Sequence, residues 1–102
     1  MKIAIAQINC IVGDISGNVD RIIQYAIEAK SLEATLVLTP ELSLCGYPPE
    51  DLLMRADFLD ACERALQVLA EKLAIKTPDM TVLVGHPHRV DKACFNAVSV
   101  LQ

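Results

Sequence analysis

Residues 35–53, Thr35-Leu-Val-Leu-Thr-Pro-Glu-Leu-Ser-Leu-Cys-Gly-Tyr-Pro-Pro-Glu-Asp-Leu-Leu53, decide the fold, because an apolar strand ends here on a carboxylate and the chain then enters a shaped turn. Thr35–Leu38 is a short β-type run. Pro40 has no N–H to give to a ladder, so the strand stops there and Glu41 emerges at its carboxyl end. Gly46 permits a positive φ, and Pro48 biases Tyr47 toward extended dihedrals, so the turn is fixed by its own chemistry. Glu50 and Asp51 suit the amino end of the short helical turn that carries Leu52 and Leu53.

Outward from this segment, strands and helices alternate in the order β-α-β-α-β-β. A first strand is expected over Lys2–Asn9, with Val12, Gly13 and Asp14 turning the chain. Ser16 or Asn18 caps a helix in which Val19, Ile22, Ile23, Ala26 and Ile27 recur at helical spacing, ending near Leu32. A second helix is expected over Asp57–Ile75, with Leu59, Cys62, Leu66, Leu69 and Leu73 on one face, and Pro78 blocks its continuation. The third strand is read as Met80–Gly85, a polar turn as Arg89–Lys92, and the fourth strand as Cys94–Leu101. Alternation of this kind favours parallel pairing, with Asn9, Glu41 and His86 along one carboxyl edge, which is where open α/β sheets bind ligands. The first three strands are almost continuously apolar. This implies burial on both faces, while the helices can cover only one.

Composition narrows the function. The 102 residues carry a net charge of −4 from 13 acids and 9 bases, without a basic run, so a nucleic-acid partner is not expected. No stretch approaches the roughly 20 apolar residues of a membrane span. Cys10, Cys45, Cys62 and Cys94 are unevenly spaced, and Gln7 and Asn9 break the first apolar run before it reaches the length of a signal-peptide core, so free thiols and a cytoplasmic protein are expected. A hydrophobic content of 53% is high for so short a chain, which points to apolar surface that expects a partner.

The Glu41 segment resembles the glutamate motif of the carbon–nitrogen hydrolase (nitrilase) superfamily, and the continuation GYPPEDLL resembles the glutaminase domains of its NAD synthetase branch. Lys2–Asp14 with Asn18 resembles the first strand and loop of that family, and Phe95-Asn96-Ala97-Val98 resembles a later strand. The resemblance implies an α-β-β-α sandwich, of which residues 1–102 would be the amino-terminal portion, with a second sheet from later in the chain covering the open face. It also implies amide hydrolysis through a thioester. Glu41 would be the general base for a cysteine thiol that attacks the glutamine side chain, with a lysine stabilising the oxyanion. The ammonia would pass to an ATP- and magnesium-dependent synthetase domain that amidates deamido-NAD, in a complete enzyme expected to be a homo-oligomer.

The lysine and cysteine motifs of that family do not appear by Gln102, so the 102 residues alone are expected to lack activity. Other readings stay open: a different small amide or a nitrile as substrate, or a non-catalytic module that pairs through its sheet face. Leu38, Leu42 and Leu44 are expected to desolvate Glu41 in part. Cys45 reads as a buried packing residue, as do Cys10, Cys62 and Cys94. His86 and His88 flank Pro87 on the same side of an extended segment; two such ligands without a third make a structural pair rather than a metal site. Tyr47 either lines a pocket mouth or packs on the prolines, and Gly13 has no phosphate-loop context.

Overall fold

The computed structural model describes every residue from Met1 to Gln102. The elements are β1 (Ile3–Ile5), α1 (Ile15–Ser31), β2 (Leu36–Leu38), a 3₁₀ turn (Glu50–Met54), α2 (Ala56–Lys76), β3 (Thr81–Val90) and β4 (Ala93–Leu101). They form one sheet in the order β1-β2-β3-β4, parallel across the first two pairings and antiparallel across the last. The α/β class and the β-α-β-α-β-β order read from the sequence are those of the molecule.

Strand alternation sorts the side chains. Ala4, Val37, Val82 and Val84 face the helices and join the core with Ile22 and Ala26 of α1 and Cys62, Leu69 and Leu73 of α2. The opposite face carries Ile3, Ile5, Val98 and Val100, each more than half exposed. One α layer and one β layer are therefore present, half of an α-β-β-α sandwich, and the face that the apolar strands reserve for burial is open. Ile27, expected on the core stripe of α1, lies at its margin with 37% exposure, and Ala29 is buried instead.

Several boundaries differ from the sequence reading, each for a local reason. β1 is three residues long, not eight, because β2 runs only to Leu38; Ala6 makes the last bond, its N–H donating to the Leu38 carbonyl at 2.9 Å. Neither Ser16 nor Asn18 caps α1. Asp14 does, accepting the Gly17 N–H at 3.2 Å, and its carboxylate also meets Arg21 at 3.3 Å. α2 starts one residue earlier and ends one later than expected, and Thr77 closes it by donating to the Leu73 carbonyl at 3.1 Å. β3 continues through His86 and Pro87 to Val90, because β4 supplies antiparallel partners from Val82 to Val90. The connecting turn shrinks to Asp91 and Lys92, with Asp91 at φ 54°. Arg89, expected in that turn, is in the strand and pairs with Asp60 and Glu63 of α2.

Candidate active site

Pro40 ends β2 as expected, and residues 41–45 fold into a turn that lies across β3. The Ser43 N–H donates to the Pro40 carbonyl at 3.2 Å, the Gly46 N–H to the Leu42 carbonyl at 2.8 Å, and the Leu44 N–H to the Gly85 carbonyl at 3.1 Å. Leu42 takes a φ of 51°, so Leu42 and Leu44 turn into the core while Glu41 stays outside. Glu41 is exposed, and the expected desolvation by its leucine neighbours does not occur. Those leucines anchor the turn instead.

Thr39 locks this arrangement. Its hydroxyl donates to the Leu83 carbonyl at 2.8 Å, leaving its oxygen to accept the Gly85 N–H at 3.3 Å and the buried Ser43 hydroxyl at 2.8 Å. Gly85 is needed for the crossing: a Cβ there would sit 2.6 Å from the Leu42 nitrogen and 2.7 Å from the Pro40 oxygen.

A second set of bonds ties the turn to the loop after β1. Asn18 is completely buried; its Nδ2 donates to the Ile11 carbonyl at 2.8 Å and the Leu44 carbonyl at 3.2 Å, while its Oδ1 accepts the Ile11 N–H at 2.9 Å and Arg21 Nη1 at 3.1 Å. The Gly13 N–H donates to the Cys45 carbonyl at 3.0 Å, and Gly46, at φ 85°, passes so close to Val12 that a Cβ would lie 2.6 Å from its backbone. Neither Asn18 nor Gly85 stood out as a site residue in the sequence, since both work through backbone groups far away in the chain.

Glu41 meets Asn96 of β4, whose side-chain nitrogen donates to Glu41 Oε1. The other candidates fall elsewhere. Asn9 lies beyond the end of β1 and is exposed. His86 is not at a strand end: it is buried inside β3, with Nε2 2.7 Å from Ser99 Oγ and Nδ1 3.1 Å from the Pro87 carbonyl. His88 is on the same side, as alternation requires, its ring edge-on to His86 at 6.2 Å. Both therefore belong to the hairpin. Cys45 is sealed in the core, its sulfur facing the Leu42 and Gly46 carbonyls at 3.7 and 3.4 Å. The neighbouring Cys45 thiol, reinforced by burial, pushes the Cys62 thiol up, and burial raises Cys10 as well. Such thiols stay protonated at neutral pH. Cys94, read as packing, is exposed. Tyr47 is also exposed, on a cis bond to Pro48, and Glu50 and Asp51 occupy the first turn of the 3₁₀ segment as expected.

An α layer on a mostly parallel sheet, with a glutamate turned out at the end of the second strand, is the frame of the class, and the chain belongs to the carbon–nitrogen hydrolase family, whose model matches residues 2–102. Within it, the chain is 44% identical over 103 residues to the glutamine-dependent NAD(+) synthetase of Xanthomonas campestris, covering 100% of this chain and 18% of that protein. Among solved structures, a glutamine-dependent NAD(+) synthetase from Cytophaga hutchinsonii superposes with a TM-score of 0.88 at 29% identity, over 98% of this chain and 17% of its own. An amidase from Nesterenkonia sp. shares the fold, with a TM-score of 0.71 at 24% identity over 98% of this chain and 36% of its own. The chain thus spans about a fifth of the length of the synthetases that it resembles.

Proposed function

We propose that residues 1–102 are the amino-terminal portion of the glutaminase domain of a glutamine-dependent NAD synthetase, and that Glu41 is its general base. The observation that carries this reading is the 44% identity to such a synthetase over the whole of the chain. The geometry supports the role of Glu41. Two independent bond sets, through Thr39 and through Asn18, hold the turn from which its carboxylate projects.

In this role Glu41 takes the proton of a cysteine thiol supplied by a later part of the protein. The thiolate attacks the carboxamide carbon of glutamine, Glu41 returns the proton to the nitrogen so that ammonia leaves, and water, deprotonated in turn by Glu41, releases glutamate from the thioester while the thiol regains its proton. A lysine, also from later residues, stabilises the oxyanion. ATP, magnesium and deamido-NAD belong to the synthetase domain, where the ammonia is consumed, and the complete protein is a homo-oligomer. We place it in the cytoplasm, a reading supported by four free cysteines. No helix is long and apolar enough to cross a membrane.

Glu41→Gln in the complete synthetase tests the assignment. The variant is expected to lose glutamine-dependent NAD formation by at least about 100-fold, as removal of a general base does, and to keep synthesis from free ammonia. Unimpaired glutamine use would remove Glu41 from the mechanism, and loss of both activities in a folded variant would make its role structural.

A further inference from the structure

We propose that Asn96 is a positioning residue for the Glu41 carboxylate, an inference that rests on Glu41 being the base. The β3–β4 register sets Asn96 opposite Pro87, two residues beyond the Gly85 over which the Glu41 turn crosses. Strand alternation then puts the Asn96 side chain on the open face, the same face as Val98 and Val100. From there its Nδ2 donates to Glu41 Oε1.

The chemistry of the pair gives each atom one task. A carboxamide nitrogen only donates and an ionised carboxylate only accepts, so the contact has a single polarity and Asn96 cannot take a proton in place of Glu41. Glu41 sits on a turn, and its side chain has three rotatable bonds. Asn96 is shorter and is fixed to a strand paired along its whole length, so the bond restricts the glutamate more than the asparagine. With Oε1 engaged, Oε2 remains to accept the thiol proton. A base that must receive a proton at one defined point gains rate from this restriction, while substrate affinity, set elsewhere, does not change. The sequence placed Asn96 in the fourth strand without giving it a role; the crossing of the Glu41 turn over β3 brings the two together.

The test uses the complete synthetase with Asn96→Ala, Asn96→Asp and Glu41→Gln, comparing glutamine-dependent with ammonia-dependent NAD formation. Asn96→Ala is expected to lower kcat with glutamine about 10- to 100-fold, the usual consequence of a misplaced catalytic group, with KM for glutamine within about twofold and ammonia-dependent synthesis unchanged. Asn96→Asp keeps the shape but sets a carboxylate against a carboxylate, so at neutral pH its kcat is expected below that of Asn96→Ala. A role in packing alone predicts the opposite order. If both variants keep the parent kcat while Glu41→Gln abolishes glutamine use, the positioning role is overturned and the base assignment stands. If Glu41→Gln itself keeps glutamine use, the base assignment falls and takes this inference with it. A raised KM at constant kcat would make Asn96 a substrate contact, and equal loss of both activities would make it a fold residue; either result overturns the proposal.

Discussion

Asn18 is a polar side chain in the middle of an apolar core, and burial of its amide is tolerated because all of its hydrogen-bonding groups are used. It joins the loop after β1 to the Glu41 turn, 26 residues later in the chain. Asn18→Leu keeps the branched shape in a somewhat larger side chain but strands the Ile11 N–H together with the Ile11 and Leu44 carbonyls. At roughly 1–3 kcal/mol for a buried group left unpaired, with the Leu44 carbonyl buried and the Ile11 groups only partly so, a loss of about 2–4 kcal/mol is expected. Denaturation of the complete protein, followed through glutamine-dependent activity, would show an earlier midpoint; an unchanged midpoint would mean that water replaces the amide. Helical spacing places Asn18 near the start of α1, which suits a cap, but spacing says nothing about which distant carbonyls its side chain meets. Asp14 was legible as a turn residue and not as the cap because Ser16 and Asn18, also good cap types, follow within four residues, and spacing alone does not choose among the three. Glu41 was legible because its neighbours are local, Pro40 before it and Gly46 and Pro48 after it.

At the level of elements, periodic apolar residues located both helices to within a residue or two, since each buries one stripe against the sheet. The strands were harder. β3 was cut short in the reading because His86-Pro87-His88 breaks the apolar run, whereas its length is set by pairing with β4 rather than by hydropathy. That extension matters to the site, because Gly85 then sits inside a continuous strand beneath the Glu41 turn. Gly85→Ala forces a methyl group to within 2.6 Å of the Leu42 nitrogen. Since the atoms met are backbone, the turn must lift, breaking the bonds of the Leu44 N–H and of Thr39 to β3. Glutamine-dependent activity of the complete synthetase is expected to fall about 100-fold, the scale of an ångström-sized misplacement, while ammonia-dependent activity is retained. Full glutamine-dependent activity would mean that the turn does not need its present height above the strand.

For the whole molecule, the decisive feature is the two-sided demand of the sheet against the one-sided supply of helices. The accessible surface is 6169 Å², above the roughly 5,650 Å² expected of a compact chain of this mass. The open face, with Ile3, Ile5, Val98 and Val100 exposed, is where a sheet of this composition carries its excess apolar area. High hydrophobic content made that demand legible in the sequence; the identity of the cover came only from family resemblance. Expressed on their own, residues 1–102 are therefore expected to self-associate at micromolar concentration and to bind a hydrophobic dye. The double substitution Ile5→Lys with Val98→Lys, at positions 72% and 63% exposed, is expected to shift light scattering toward the monomer without loss of helix content, because both side chains are mostly exposed and point away from the helices. The same 102 residues are expected to release no glutamate from glutamine above a protein-free blank, since in the proposed mechanism the attacking thiol comes from a later part of the protein and Cys45 is sealed beneath the turn. A monodisperse, dye-silent parent chain would contradict the covering-sheet reading, and glutamate release abolished by Glu41→Gln would show that a thiol within these residues reaches the base.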